Sequence, residues 1–130
     1  MIKKINHIAV AVKNLEESAR FYQEMLGLRL AGVEVVASQK TKAGFLKIGE
    51  SNIELVQPTE ADAPLTKFLE TKGQGIHHIC LEVDDVEAEV KGLLEKGTVM
   101  VDQKPRPGAH GTKVAFIHPK SSNGVLIELC

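Results

Sequence analysis

The chain has 130 residues, of which 43% are hydrophobic and 25% charged, and its formal net charge is −1. This length and composition fit one soluble globular domain that can bury a core. The nearly neutral charge does not favour binding to nucleic acid or to a membrane surface. No apolar run approaches the roughly 20 residues that span a bilayer, so we expect neither kind of partner.

The cysteines and the N-terminal residues bear on location. Cys80 and Cys130 do not make the disulfide framework of a small secreted domain. The first residues lead straight into strand-like sequence, without the pattern of a signal or transit peptide. We therefore expect a cytoplasmic protein.

The first half of the chain predicts the order β-α-β-β-β. Apolar and β-branched residues favour a strand over residues 5–12. Asn14 is suited to cap a helix that ends at Gly27. The pattern then predicts strands over residues 28–36, 42–48 and 53–56.

The second half predicts the same order after a connecting segment. Residues 59–75 join the halves and include a predicted short helix over 64–71. A strand over residues 77–83 precedes a helix that Asp85 caps and Gly97 ends. Strands follow near residues 99–102, 114–118 and 125–129. We predict one domain over residues 1–130, with module 1 at about 1–58, the linker at about 59–75 and module 2 at about 76–130.

An internal repeat relates the two modules. Residues 5–12 align with residues 76–83 without a gap, and residues 52–56 align with residues 126–130. Two such units predict an α+β fold in which tandem βαβββ modules form a half-open, cup-shaped mixed β-sheet with helices outside. A cup of this kind is a natural site for a small molecule.

The repeat places two histidines and two glutamates at equivalent positions. His7 matches His78 and Glu54 matches Glu128. Each residue alone is more often structural than functional, but a coincidence at both ends of both modules favours a shared site. Two imidazoles and two carboxylates suit a divalent cation such as Zn²⁺, Co²⁺, Mn²⁺, Ni²⁺ or Fe²⁺. His77 points to the opposite face by strand alternation, so we interpret it as structural.

Several motifs carry a family resemblance. They lie at residues 6–10, 53–55, 75–80, 108–114, 118–120 and 124–129. With them the sequence resembles the vicinal oxygen chelate (glyoxalase/bleomycin-resistance) superfamily. Within that superfamily it is similar to the methylmalonyl-CoA epimerases over nearly its whole length.

The resemblance implies a metal-dependent epimerase that interconverts (2R)- and (2S)-methylmalonyl-CoA. The reaction would be a 1,1-proton transfer through a metal-stabilised enolate, connecting propionyl-CoA and succinyl-CoA metabolism. It implies His7, Glu54, His78 and Glu128 as metal ligands, Co²⁺ as the first metal to test with Zn²⁺, Mn²⁺ and Ni²⁺ as alternatives, and a homodimer. Glu128 is the candidate catalytic base.

Two features of the resemblance leave roles open. Some family members carry a second catalytic glutamate on a strand of the first module, whereas residues 42–45 here contain no acid. The second base is therefore not assigned. The loop over residues 105–113 is expected beside the mouth of the cup. Its His110 is a candidate for contact with the CoA-thioester substrate, and a solvated turn is the equal alternative. Lys113 is a candidate for contact with the CoA phosphates, but an isolated lysine on a neutral protein is more often only a surface residue.

Other activities use the same scaffold. A glyoxalase I-type lactoylglutathione lyase would use the same ligand types, and only the C-terminal motifs favour the epimerase over it. An extradiol dioxygenase needs two histidines and one carboxylate, so a fourth ligand argues against it. A metal-free small-molecule-binding resistance protein would offer aromatic walls, but the chain has no Trp and one Tyr.

Overall fold

The computed structural model describes residues 1–130, which form eight strands and three α-helices. The first module contains β1 (Ile2–Ala11), α1 (Leu15–Arg20), β2 (Arg29–Val36), β3 (Thr41–Ile48) and β4 (Ser51–Pro58). The linker and second module contain α2 (Pro64–Lys72), β5 (Gly75–Val83), α3 (Val86–Glu95), β6 (Arg106–Pro107), β7 (Lys113–Ile117) and β8 (Ile127–Leu129). Parallel pairing of β5 with β8 and antiparallel pairing of β7 with β8 confirm the α+β class with a mixed sheet.

The helix boundaries follow the predicted capping residues. The Asn14 side chain accepts a hydrogen bond from the Glu17 backbone N–H at 3.0 Å, and the Asp85 side chain accepts one from the Ala88 N–H at 3.2 Å. Each bond satisfies a donor that the first helical turn leaves unpaired. Helix α1 continues into a π-helical turn at Phe21–Met25. None of the helices is both long and apolar enough to cross a membrane.

The chain divides into two compact units, the first of which is residues 8–77. Its strand order is β2-β3-β4-β1, and α1 packs on β3 and β4. Its core consists of buried aliphatic residues from α1, β3 and β4 and from the position directly after β1. They are Val12, Leu15, Ala19, Leu46 and Leu55. Gly44 on β3 allows this packing, since a Cβ there would stand 2.9 Å from a methyl group of Leu15.

The second unit combines residues 1–7 with residues 78–130. Its strand order is β1-β5-β8-β7-β6, with β1 represented by its first residues. Helix α3 packs on β7, and the core again consists of buried apolar side chains. They are Val83, Val90, Met100, Ala115, Ile117 and Leu129.

The strand predicted near residues 99–102 is wrong as an extended element. Only Met100 forms a bridge there, opposite Ile117. The ladder stops because the Asp102 side chain, rather than a backbone carbonyl, accepts the hydrogen bond of the Phe116 N–H at 2.9 Å. The backbone N–H groups of Val101 and Asp102 both donate to Phe116 O, at 2.9 and 3.3 Å. The side chain of one polar residue therefore ends a pairing that the apolar pattern favours.

Candidate metal centre

Three of the four predicted ligands converge in the unit of residues 1–7 and 78–130. His7 Nε2 lies 3.2 Å from His78 Nε2 and 3.3 Å from Glu128 Oε1. His78 Nε2 lies 3.6 Å from the same oxygen. The parallel register of β5 and β8 pairs Cys80 with Glu128, and His78 is two residues earlier on the same face. The strand pairing thus brings His78 and Glu128 together.

The hydrogen bonds of His7 determine which nitrogen faces the cluster. His7 Nδ1 lies 2.8 Å from Asn6 Oδ1, and Asn6 Nδ2 donates to Glu82 Oε1 at 3.0 Å. Because the amide nitrogen of Asn6 is used by Glu82, its oxygen accepts the Nδ1–H of His7. A neutral His7 therefore presents the Nε2 lone pair to His78 and Glu128, which is the orientation of a metal-binding histidine.

The cluster is buried, and its carboxylate is strongly perturbed. His7, His78 and Glu128 are 7%, 6% and 6% exposed. Burial by itself would raise the pKa of Glu128, but when His7 and His78 carry protons at Nε2, their hydrogen bonds and positive charge outweigh it. The result lowers the pKa of Glu128 from 4.5 to about 2. Glu128 is therefore a carboxylate at neutral pH.

The chemistry of these donors fits a divalent cation. When neither Nε2 carries a proton, the two imidazoles and the carboxylate direct three acceptor lone pairs at one buried point. Burying three such acceptors together costs free energy unless a cation or shared protons neutralise them. Imidazole and carboxylate are the ligands of Zn²⁺, Co²⁺ and other first-row divalent ions, so His7, His78 and Glu128 are suited to hold one.

The fourth predicted ligand lies in the other compact unit. Glu54 is on β4, opposite Phe45 of β3 in the antiparallel register, and it is 9% exposed. A carboxylate this buried needs partners, as a ligand would have. Its role as the fourth metal ligand stays a prediction.

The neighbouring histidine has the structural role that strand alternation predicts. The ring of His77 packs edge to face on Phe68, with centroids 4.7 Å apart. His78 instead contacts the ring of Phe116, at a centroid distance of 5.3 Å. His77 and His78, although adjacent on one strand, thus lie in different environments.

Comparison with known proteins places this geometry in a family. Residues 6–116 match the glyoxalase/bleomycin resistance protein/dioxygenase superfamily. The chain is 39% identical to the mitochondrial methylmalonyl-CoA epimerase of Mus musculus over 97% of its own length and 71% of the relative's. It is 39% identical to an ethylmalonyl-CoA/methylmalonyl-CoA epimerase of Cereibacter sphaeroides, covering 99% of this chain and 98% of the relative. The chain belongs to the methylmalonyl-CoA epimerase family of this superfamily.

A solved structure of the family has the same fold. A methylmalonyl-CoA epimerase in complex with methylmalonyl-CoA and ammonium superposes with a TM-score of 0.95 at 33% identity, over 99% of this chain and 94% of that one. This agreement confirms the fold class and the family resemblance that the motifs carry.

The two candidate substrate residues lie on the surface of the same unit as the donor cluster. His110 is exposed and adopts a left-handed conformation, with φ of 58°, in a short 3₁₀ turn. Lys113 is also exposed, and its Nζ forms an ion pair with Glu87 Oε1 at 2.9 Å. This pairing raises the pKa of Lys113, mainly through the hydrogen bond that its Nζ donates to Glu87. Substrate contact by either residue stays a prediction.

The structure adds residues that the sequence motifs do not single out. Asn6 holds the His7 ring, and Phe116 packs against His78. Cys80 lies beside the cluster, since its Sγ, a His7 nitrogen and a Glu128 oxygen are all within 4.8 Å of one another. Cys80 also forms a disulfide with Cys130. The only signal available in the sequence was strand alternation, which puts Cys80 on the face of His78.

Proposed function

We propose that this chain is a methylmalonyl-CoA epimerase that interconverts the (2R) and (2S) epimers by proton transfer at carbon 2. The observation that carries the proposal is the convergence of His7, His78 and Glu128 within 3.2–3.6 Å, in a chain of this family. The names of the relatives in M. musculus and C. sphaeroides support the substrate class.

The reaction requires an electrophile beside an acidic carbon. Carbon 2 of methylmalonyl-CoA lies between a thioester and a carboxylate, and its deprotonation places negative charge on oxygen. A divalent cation bound here would supply the positive charge that stabilises this enolate. His7 and His78 would hold the ion, and their burial excludes the water that would weaken its field.

Proton transfer requires a base that is ionised and close to the donor cluster. Glu128 is the candidate, because its Oε1 lies 3.3 Å from His7 Nε2 and 3.6 Å from His78 Nε2. We therefore assign Glu128 as one of the two groups that move the proton. Residues 42–45 of β3 supply no carboxylate, so the second group differs from the glutamate that some relatives use.

The finer assignments belong to the same proposal. We assign Co²⁺ as the first metal to test, because imidazole nitrogens and carboxylate oxygens together suit an ion of intermediate softness.

We assign a homodimer, supported by Val33 and Val35, which are 47% and 58% exposed on the outermost strand β2. Metal reconstitution and light scattering test the two assignments. A cytoplasmic location stays a prediction.

Proton exchange tests the function directly. The full chain is stripped with a chelator, reconstituted with Co²⁺, Zn²⁺, Mn²⁺ or Ni²⁺, and incubated with methylmalonyl-CoA in deuterium oxide. We expect metal-dependent loss of the carbon-2 proton signal in the NMR spectrum. His78→Ala should abolish this exchange, and the matched variant His77→Ala should retain it because that ring packs on Phe68.

A coupled stereospecific mutase then measures turnover between the epimers. Absence of exchange with all four metals would reject the epimerase. The glutathione hemithioacetal of methylglyoxal would be the next substrate to test.

A further inference from the structure

The disulfide between Cys80 and Cys130 lies beside the metal centre. Cys80 is on β5 and is fully buried, and Cys130 directly follows β8 and is half-buried. The backbone N–H of Cys130 donates to Leu81 O at 3.0 Å, and its carbonyl accepts from the Val83 N–H at 2.8 Å. The bond therefore connects the two strands that carry His78 and Glu128.

Packing alone does not explain the two sulfur atoms. By the internal repeat, Ala9 is the counterpart of Cys80 and Val56 is the counterpart of Cys130. Both are buried, at 0% and 4% exposed. An alanine and a valine thus fill the equivalent places in the other unit. The second module has instead acquired two thiols that can react with each other and with metals.

The position of Cys80 makes it a possible donor to a bound ion. Its Sγ, one His7 nitrogen and one Glu128 oxygen lie within 4.8 Å of one another. With metal–nitrogen and metal–sulfur bonds of about 2.0–2.3 Å, ligand atoms on one tetrahedral ion are roughly 3.5 Å apart. A side-chain adjustment of about an ångström would close the difference, and a thiol has that freedom once the disulfide is broken.

We propose that the Cys80–Cys130 pair is a redox control on the donor set of the metal centre. In the oxidised chain the sulfur of Cys80 is held in the disulfide, and the ion has only nitrogen and oxygen donors. In the reduced chain the Cys80 thiolate joins His7 and Glu128, which favours thiophilic ions such as Zn²⁺. The inference rests on the metal centre of the proposed function, but not on its substrate.

The chemical step is thiol–disulfide exchange with a low-molecular-weight thiol. A thiolate attacks the more accessible Cys130 Sγ, the sulfur–sulfur bond breaks, and Cys80 leaves as a thiolate. A second thiol molecule attacks the mixed disulfide at Cys130, which releases the small-molecule disulfide and leaves a free Cys130 thiol. Two thiols are oxidised and one protein disulfide is reduced, so electrons balance. The leaving Cys80 sulfur either takes up a proton or binds the ion.

Metal binding and reduction are coupled in this arrangement. An ion that binds the reduced chain more tightly must shift the disulfide equilibrium toward the dithiol by the same factor. Zn²⁺ should therefore increase the fraction of free thiols at a fixed ratio of reduced to oxidised glutathione. Mg²⁺, which prefers oxygen ligands, is the matched control and should leave that fraction unchanged.

Cobalt spectroscopy tests the donor set without reference to activity. We expect Co²⁺ to give a sulfur-to-cobalt charge-transfer band in the near ultraviolet with the reduced chain and no such band with the oxidised chain. Cys80→Ser should lack the band in both states. Cys130→Ser, which cannot form the disulfide but keeps Cys80, should show it in both. The visible d–d bands of bound Co²⁺ should persist in every variant and so report an intact site.

Two results would overturn the proposal. One is a reduced wild-type chain that binds Co²⁺ without the charge-transfer band. The other is a titration that finds two free thiols in the chain after equilibration with oxidised glutathione. Exchange of the carbon-2 proton is measured separately, so failure of the epimerase reaction leaves this test decisive.

Discussion

The two compact units share a core plan but carry different polar groups. Val12 and Leu55 of one core correspond in the repeat to Val83 and Leu129 of the other. The unit of residues 8–77 contributes one buried carboxylate, Glu54, to the predicted ligand set. The unit of residues 1–7 and 78–130 instead holds both histidines, Glu128 and the disulfide.

The two repeats supply the same ligand types, one histidine and one glutamate each, and the cluster takes His7 from the first repeat and His78 and Glu128 from the second. Buried aliphatic residues are constrained by volume, because a well-packed core tolerates only small changes. Polar side chains outside this core are not subject to the same volume constraint and can differ between the units. One unit therefore contains the three-donor cluster, to which the first repeat contributes His7, and the other unit contains Glu54.

The largest expected effect separates the two equivalent glutamates. Glu128→Ala removes a carboxylate that touches both imidazoles, so we expect metal binding to weaken and carbon-2 proton exchange to fall at least about 100-fold. Glu54→Ala leaves the cluster of His7, His78 and Glu128 intact and should weaken metal binding less. Calorimetric metal titration and NMR exchange measure both. Equal losses in the two variants would show that the chemistry is shared evenly between the modules.

Acid stability of the metal-free protein is the next largest effect. The pKa of Glu128 is about 2 in the folded chain and 4.5 in the unfolded reference, so the unfolded state binds more protons between these values. Stability that Glu128 contributes is thus complete above pH 4.5 and is lost as the pH falls toward 2. The shift corresponds to about 3 kcal/mol.

Urea unfolding in the presence of a chelator measures this contribution. The wild-type free energy of unfolding should fall more steeply between pH 5 and 2 than that of Glu128→Gln. Glu54→Gln serves as the comparison from the other unit. Parallel curves for the wild type and Glu128→Gln would mean that His7 and His78 do not stabilise the carboxylate in solution.

Sequence alone predicted the parts of the molecule that depend on local pattern and repetition. Strand alternation separated His78 from His77, and capping chemistry located Asn14 and Asp85 at the starts of helices. The repeat paired His7 with His78, whose side-chain nitrogens lie 3.2 Å apart across 71 residues.

The remaining features depend on tertiary pairing, which leaves no local signature. Cys80 and Cys130 meet because β5 and β8 pair in parallel, and nothing in their spacing predicts that register. Asn6 reaches Glu82 across 76 residues, and the contact orients His7. The predicted strand near residues 99–102 fails because the Asp102 side chain occupies a ladder position.

A smaller effect is expected from the residue that orients His7. Asn6→Ala removes the acceptor of the Nδ1–H while leaving all proposed ligands in place. Loss of such a partner typically costs about 10- to 100-fold in metal affinity. The counterpart in the other module is His77, so His77→Ala is the matched control and should bind metal like the wild type. Competition with a fluorescent chelator measures both affinities, and an unchanged affinity in Asn6→Ala would show that the ring is oriented by packing alone.

The smallest effect compares the two helix caps, where the units are most alike. Asn14→Ala and Asp85→Ala each leave one backbone N–H of a first helical turn without its acceptor, at Glu17 and Ala88 respectively. Each should lower the free energy of unfolding by about 1 kcal/mol.

Asp85 also places a negative charge at the helix N-terminus, and Asp85→Asn keeps the cap but removes that charge. This variant should cost only a few tenths of a kcal/mol, because the charge is exposed and screened by salt. Urea unfolding at two salt concentrations measures all three variants, and a large loss in Asp85→Asn would show that the units differ in electrostatics even where their capping geometry agrees.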